Sequence, residues 1–242
     1  MPELLFPFNH IPIARTIWEE HPTYNQELIS FIKDFDNQNK IDPKKIVAGQ
    51  IKHNVSESSP RLDFFKKANI KPINKFVTFI EEAIIELYYE LWNLQTVAKS
   101  SPIKGKTVIH ESWYHITSYG GYHDYHDHKS SSFAGIYFID ANECGYKNGG
   151  TMRFWKPFDS TSYDNDIGLT WAHNDLLDIV PISGEVIIFP GFLCHSALPY
   201  FGKTDRIIVA FNAKIFQEDE YLAHFNQDES NPLTNIKYER KG

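Results

Sequence analysis

Residues 119–128 read YGGYHDYHDH and lead directly into residues 133–139, an apolar segment with aromatic and β-branched side chains. Such a segment, bounded by polar residues, is typical of a buried strand. Three of the chain's 11 histidines, at positions 123, 126 and 128, lie within six consecutive residues. The sequence therefore predicts a histidine cluster that immediately precedes a buried strand, and this cluster is the first place to look for chemistry.

Strand geometry limits which side chains of the cluster can meet. In an extended strand side chains alternate, so Asp124, His126 and His128 are expected on one face and Tyr125 and Asp127 on the other. Residues two apart lie about 6.6 Å apart along a strand, which lets both reach one ion, whereas residues four apart do not. The ligand pair is thus either His126 with His128 or His126 with Asp124.

A metal site of this kind needs a further ligand from elsewhere in the chain, and His195 is the best candidate. It follows a predicted buried strand and the turn at Pro190 and Gly191. The alternative for His195 is a core imidazole that is hydrogen-bonded to the backbone. Arg206 opens the apolar segment 206–212, where its head group either lies in water or, if buried, has to be paired. The planar guanidinium suits a carboxylate ligand.

Short runs of β-branched and aromatic residues, separated by Gly, Asn, Asp and Pro, continue through the second half of the chain. They predict eight strands, at residues 107–118, 122–128, 133–140, 151–155, 176–180, 185–189, 193–198 and 206–216. Eight such strands favour a closed or sandwiched antiparallel β fold.

The first hundred residues differ in pattern and predict helices. Apolar residues recur at three- and four-residue spacing from Ile73 to Leu94, and a shorter helix is expected after Pro22. We expect a single domain over 1–242, in which residues 1–105 are a mostly helical support region, 106–216 the β core and 217–242 a C-terminal tail. The polar segment 157–174 is a long insertion, interpreted as either a lid over a substrate or a surface excursion.

Composition excludes several classes of protein. The 242 residues carry a net charge of −7, which argues against broad binding of nucleic acid. The chain also contains 18 Phe, 13 Tyr and 5 Trp, and this aromatic content argues against intrinsic disorder. No apolar run approaches a membrane span, and the start of the chain lacks the basic region of a secretion signal. Two cysteines are too few for a disulfide framework. A cytoplasmic protein without membrane partners is expected.

The histidines and the arginine also occur in a recognisable order along the chain. The ordered motifs are His126-x-His128, Gly135, Gly184, Phe189-Pro190, His195, Arg206 and Phe211-Asn212. This set, spanning residues 113–212, resembles the 2-oxoglutarate/Fe(II) oxygenases that are distantly similar to prolyl 4-hydroxylases. The resemblance extends weakly to Leu5-Phe6-Pro7 near the start.

The resemblance implies a mainly β fold, a double-stranded β-helix of the jelly-roll or cupin-like kind, flanked by N-terminal helices. It implies Fe(II) and 2-oxoglutarate as cofactors, with His126, His128 and His195 as iron ligands and Arg206 as the residue that holds the distal carboxylate of 2-oxoglutarate. His128 then stands where the family usually has a carboxylate, so Asp124 remains the alternative ligand. Ile208 stands where the family often has Ser.

The activity implied is a 2-oxoglutarate-dependent dioxygenase that couples decarboxylation to succinate with hydroxylation of a peptide side chain or small molecule, with O2 as co-reactant. Tyr119 and Tyr122 are candidates to line the cosubstrate pocket, and Trp113 and Trp155 to shape the substrate mouth; packing is the alternative for all four. Two other functions stay open. One is a cupin-like metal-binding protein or a three-histidine dioxygenase that needs no 2-oxoglutarate, and the other is a non-enzymatic β-sandwich module.

Overall fold

The computed structural model describes residues 11–38, 52–57, 63–68, 70–95, 103–156 and 176–218. The helices are α1 (His21–Gln38), α2 (Phe64–Ala68) and α3 (Lys71–Gln95). The strands are β1 (Ala14–Ile17), β2 (Lys52–Glu57), β3 (Gly105–His126), β4 (Phe133–Asp140), β5 (Met152–Trp155), β6 (Leu176–Ile179), β7 (Glu185–Pro190), β8 (His195–Tyr200) and β9 (Arg206–Gln217).

These strands form one curled antiparallel sheet of nine strands. Along the sheet the order is β1-β7-β4-β9-β3-β8-β5-β6, and β2 pairs with β3. Neighbours in the sheet are mostly distant in sequence, as expected of a jelly roll rather than a meander. The predicted mainly β fold with N-terminal helices is confirmed.

Strand β3 is longer than the sequence pattern indicates. Residues 107–118 and 122–128 were expected to be two strands, but β3 runs unbroken over 22 residues. The register with β2 shifts in this stretch, because His53 lies opposite Tyr122 whereas Val55 lies opposite Thr117. The residues of β3 between 117 and 122 have no regular partners in β2 and form an irregularity within the strand. Gly120 has a φ of 74° there, in the left-handed region that favours glycine. A bulge thus stands where the pattern suggested a turn.

The helices cover one face of the sheet. The predicted helix over 73–94 is confirmed as α3. Phe76 and Ile80 on its apolar face belong to the same hydrophobic core as Leu28 of α1 and Tyr137 of β4. Asn25 on α1 donates a hydrogen bond of 2.8 Å to the carbonyl oxygen of Ile139, which fixes the helix to β4. Residues 52–57, which carried no strand prediction, form β2.

Strand β4 is buried on both faces, because it separates two cores. Its odd-numbered residues face the helices, whereas Ala134, Ile136 and Phe138 belong to a second core inside the curled sheet. Phe189 of β7 and Ile208 of β9 contribute to this second core. The interior core forms the floor of the candidate site.

Some of the predicted features lie outside the described residues. These are the insertion 157–174, the resemblance at Leu5-Phe6-Pro7 and all of the tail beyond residue 218. Among the described helices, none combines the length and the apolar character that crossing a membrane requires. Both cysteines are free thiols.

Candidate metal and cosubstrate site

Three imidazoles from two distant stretches of the chain meet at one point. His126 ends β3, His128 follows two residues later, and His195 begins β8 directly opposite His126 in the sheet register. One nitrogen from each ring can be chosen so that the three atoms lie within 4.8 Å of one another. The ring centroids of His126 and His195 are 4.2 Å apart. This cluster, His126, His128 and His195, is called the histidine triad below.

Backbone carbonyls orient two of the rings. Nδ1 of His126 lies 2.7 Å from the carbonyl oxygen of Asp124, and Nδ1 of His195 lies 3.1 Å from that of Leu193. Because a carbonyl oxygen only accepts hydrogen bonds, each Nδ1 carries the proton and each Nε2 keeps a lone pair. Such outer hydrogen bonds are typical of metal-binding histidines. The rings are therefore set up as ligands that use Nε2.

The surroundings of His195 favour its neutral form. Burial lowers the pKa of His195 well below its ordinary value, and the neighbouring His126 and His128 lower it further. Metal binding requires the unprotonated ring, so this shift matches a ligand role.

A tight turn places His128. Its backbone N–H donates a hydrogen bond of 2.6 Å to the carbonyl oxygen of Gly191, in the loop that leads to β8. A Cβ atom on Gly191 would lie 2.5 Å from the carbonyl oxygen of His128, so only glycine allows the two backbones to approach this closely. The Pro190-Gly191 turn therefore brings His128 and His195 together.

Asp124 does not share the face of His126, contrary to the expectation from strict alternation. The register shifts between His123, opposite Ala197, and His126, opposite His195, so three residues of β3 span two of β8. This bulge turns Asp124 outward, where it is exposed and its carboxylate accepts a hydrogen bond of 2.8 Å from the N–H of Tyr125. Its carboxylate lies outside the triad.

Arg206 is the charged residue of the site among those described, and it is only 3% exposed. Its Nη1 donates a hydrogen bond of 2.9 Å to the carbonyl oxygen of Gly150, and its Nη2 lies 3.4 Å from Oγ1 of Thr117. Its Nε has no hydrogen-bond partner within the described part of the chain. Burial lowers the pKa of the guanidinium, an effect that Cys144 and Tyr200 partly offset. Among the described residues no carboxylate forms an ion pair with Arg206.

One cavity joins the triad to Arg206. Apart from these four residues, its polar lining consists of His115 and His123, and its walls are apolar side chains such as Trp113, Ile136, Phe189 and Ile208. No acidic residue of the described ranges lines it. A buried cation without a carboxylate is costly, so the cavity is suited to an anionic ligand.

Of the four aromatic candidates, only Trp113 lines this cavity, and its ring centroid lies 5.6 Å from that of His128. Tyr119 stands on the β3 bulge, is 66% exposed and packs against Phe201. Tyr122 does not line the cavity either. Trp155 follows Phe154, which faces the interior, so alternation turns Trp155 to the outer face of the sheet, where it packs against Tyr125.

Two cavity residues lacked a predicted role. His123 belongs to the predicted histidine cluster but had no ligand role, and His115 lies in β3 two residues from Thr117, which is directly opposite Arg206. Counting by two along β3 from the partner of Arg206 finds His115 and then Trp113. That count requires the register, which only the structure supplies.

Comparisons with known proteins agree with this geometry. Residues 111–212 match the model of a family described as "Putative 2OG-Fe(II) oxygenase", which confirms the resemblance seen in the sequence. No curated protein matches the chain by sequence.

Solved structures share the fold at low identity. A prolyl-4-hydroxylase from Pseudomonas putida has a TM-score of 0.51 at 10% identity, over 84% of this chain and 93% of that one. HygX from Streptomyces hygroscopicus, with nickel, 2-oxoglutarate and hygromycin B bound, has a TM-score of 0.51 at 9% identity, over 86% and 84%. SnoK, a non-heme alpha-ketoglutarate-dependent carbocyclase from nogalamycin biosynthesis, has a TM-score of 0.56 at 9% identity, over 84% and 79%. The chain therefore has the fold of these oxygenases, and the family match supports a 2-oxoglutarate/Fe(II) oxygenase.

Proposed function

We propose that this protein is an Fe(II)- and 2-oxoglutarate-dependent dioxygenase that hydroxylates a peptide side chain or a small molecule. The observation that carries the proposal is the single cavity in which three converging imidazoles face a buried arginine that has no carboxylate partner among the described residues. The triad provides a metal site and the arginine a site for a dicarboxylic acid.

His126, His128 and His195 would hold the metal, and their chemistry fits Fe(II). Imidazole nitrogen is a good ligand for iron, and two of the three rings have their Nδ1 protons bound to backbone carbonyls. A site of three protein ligands leaves positions open for cosubstrate and O2. When bound, iron and 2-oxoglutarate together supply the oxidation, in which one atom of O2 enters succinate, the other enters the substrate, and CO2 leaves.

Arg206 would bind the distal carboxylate of 2-oxoglutarate. Its Nη1 and Nη2 contact the carbonyl oxygen of Gly150 and Oγ1 of Thr117, so the guanidinium is oriented before the ligand arrives. Its unpartnered Nε is one donor that a carboxylate could use. A preorganised donor of this kind binds an anion with little loss of side-chain entropy.

The apolar part of the cavity has its own role in the proposal. Ile136, Phe138 and Phe189 are buried and keep water from the floor of the site. Exclusion of water strengthens the charge interactions of Arg206 and limits side reactions. Trp113 lines the cavity with its ring beside His128, where it would contact a substrate bound near the metal.

A three-histidine dioxygenase that needs no 2-oxoglutarate, or a cupin-like metal-binding protein, is the second candidate. The triad favours it, because all three side chains of the group are histidines. Arg206 argues against it, since an enzyme without a dicarboxylic cosubstrate does not need, in the same cavity, a buried guanidinium that forms no ion pair with any described carboxylate.

The fold does not select the substrate. One neighbour is named as a prolyl-4-hydroxylase, another has hygromycin B bound, and a third is a carbocyclase, so proteins of this fold differ in what they act on or bind. A cytoplasmic location is part of the proposal, and the two free thiols agree with a reducing compartment.

Anaerobic titration tests the function. Fe(II) protein that receives 2-oxoglutarate without O2 should develop a weak visible charge-transfer band, and His195→Ala should lose both iron and band. A wild-type protein that binds iron but shows no band and no affinity at saturating 2-oxoglutarate would exclude this function and favour the three-histidine alternative.

A further inference from the structure

The guanidinium of Arg206 contacts a side chain that has no role in the proposed function, the thiol of Cys144. The two groups are hydrogen-bond partners, and because a guanidinium only donates, the sulfur accepts. A Cβ atom on Gly150 would lie 2.9 Å from Sγ of Cys144 and 3.7 Å from Nη1 of Arg206, so both groups meet beside this residue. Arg206 lines the cavity, whereas Cys144 is not among its lining residues. The thiol therefore contacts the arginine from outside the cavity lining.

Hydrogen bonds fix the segment that carries Cys144. This segment, residues 141–150, lies between β4 and β5. The N–H of Cys144 donates a hydrogen bond of 2.9 Å to the carbonyl oxygen of Ala141. Oε2 of Glu143 accepts hydrogen bonds from the N–H and the hydroxyl of Thr204, at 2.6 and 2.7 Å. Since Thr204 stands two residues before Arg206, the segment is tied to the start of β9, and the thiol has a defined place beside the guanidinium.

The contact pairs a buried cation with a neutral group. Burial raises the pKa of the Cys144 thiol above its ordinary value, and the nearby charge of Arg206 opposes this shift only in part. The thiol therefore keeps its proton at neutral pH. Arg206 thus gains a hydrogen-bond acceptor from its neighbour but no negative charge.

The carboxylates close to this thiol are bonded elsewhere. Asp140 and Glu143 both raise the pKa of the thiol, which shows that they are near it. Glu143 is bound by Thr204, and Asp140 accepts a hydrogen bond of 3.3 Å from the N–H of Asn142. Neither of them forms an ion pair with Arg206. The segment therefore contains acidic residues, yet the one that touches the guanidinium is neutral.

We propose that Cys144 is a positioning residue for the cosubstrate, which fixes the Arg206 guanidinium and, being neutral, leaves its charge to the distal carboxylate of 2-oxoglutarate. The inference rests on the proposed function, because Cys144 acts through the arginine assigned to that carboxylate. A carboxylate in place of the thiol would form an internal ion pair with Arg206. Binding of 2-oxoglutarate would then have to disrupt a buried pair, which is strongly unfavourable.

Aspartate and asparagine at position 144 test the need for a neutral group, since they have nearly the same shape and differ in charge. The affinity for 2-oxoglutarate is measured without O2 from the charge-transfer band of the Fe(II) protein, with the iron content determined in each sample. Cys144→Asp should bind 2-oxoglutarate about tenfold or more weakly than Cys144→Asn. Tyr146→Asp is the matched control, because it adds a carboxylate to the same segment at a fully exposed position and should leave the affinity unchanged.

Thermal unfolding without 2-oxoglutarate shows whether the new carboxylate acts on Arg206. Cys144→Asp should unfold at a higher temperature than Cys144→Asn, because the carboxylate pairs with the buried guanidinium. In the Arg206→Met background this order should reverse, since the carboxylate then lacks its cation. An unchanged order in that background would overturn the contact on which the inference depends.

Alanine and serine at position 144 test the hydrogen bond itself. Cys144→Ala removes the acceptor and should weaken 2-oxoglutarate about three- to tenfold, whereas Cys144→Ser supplies a neutral acceptor and should restore the affinity to within about twofold of wild type. This pair decides the matter by itself if the aspartate variant does not fold. An alanine variant that binds as tightly as wild type, or a serine variant no better than alanine, overturns the positioning role.

The same titrations separate this inference from the proposed function. Equal affinities of Cys144→Asp and Cys144→Asn, in a series in which wild type binds 2-oxoglutarate and Arg206→Met binds it weakly, overturn the role of Cys144 alone. Failure of the wild type to bind 2-oxoglutarate at all overturns the proposed function, and the role of Cys144 with it.

Discussion

Replacement of Arg206 with methionine should weaken 2-oxoglutarate binding by about 100- to 3,000-fold. Loss of one partner from a buried ion pair costs about 3–5 kcal/mol, and each 1.4 kcal/mol is about tenfold in affinity. Arg206 meets this condition, because it is 3% exposed and no described carboxylate would compete with the ligand. Methionine has a similar shape, so the cavity wall should be kept.

The same substitution should leave the free protein as stable as before, or more stable. Arg206 is a buried cation held by neutral groups of Gly150 and Thr117, and replacing it removes an unfavourable desolvation. Thermal unfolding of the metal-loaded protein measures this directly. At a 2-oxoglutarate concentration of 100 Kd, the wild type should gain about 2.7 kcal/mol, and Arg206→Met should gain almost nothing.

Arg153→Met is the matched control. Arg153 forms a two-pronged ion pair with Asp178, with both hydrogen bonds at 2.7 Å, but this pair lies on β5 and β6 and does not line the cavity. Its loss should leave 2-oxoglutarate affinity unchanged. Equal affinities in wild type and a folded Arg206→Met variant would refute the assignment of Arg206 to the cosubstrate.

The remaining predictions concern the ligand set and the supporting fold. His128→Ala should lose most of the iron measured by metal analysis after anaerobic reconstitution, and Asp124→Ala should keep it; the reverse result would restore the carboxylate as ligand. Gly135→Ala should lower the free energy of unfolding in urea by about 1–3 kcal/mol, because the new Cβ would lie 2.2 Å from Cζ of Phe211; an unchanged value would contradict this packing. Asp36→Ala should destabilise by about 1–3 kcal/mol, since it removes a buried carboxylate that accepts hydrogen bonds from the hydroxyl groups of Tyr114 and Ser56, while 2-oxoglutarate affinity stays constant.

Local sequence patterns were enough to predict the helices and strands whose apolar residues follow a regular pattern. The three- and four-residue spacing of apolar residues predicted α3, and the apolar segment 133–139 predicted β4. The spacing of His126, His128 and His195 relative to Arg206 matched an ordered family pattern, so the cofactors could be inferred before the fold. These features depend on neighbours along the chain, which a sequence displays directly.

Alternation failed where a strand departs from two-residue periodicity. The bulge between His123 and His126 turns Asp124 outward, and the bulge near Gly120 places Tyr119 on the surface. Both irregularities depend on pairing with β8 and β2, strands that lie far away in the sequence. No pattern within β3 itself reveals them.

The sequence by itself determined a β fold with helical support and the residue types of a metal and carboxylate site. Only the tertiary structure decided that His115 stands two residues along β3 from Thr117, the residue opposite Arg206 on β9, and that the cavity lined by His115 and Arg206 contains no described carboxylate. The physical reason is that side-chain identity and local periodicity are properties of the chain, whereas the charge balance of a cavity depends on which distant strands bring their side chains together.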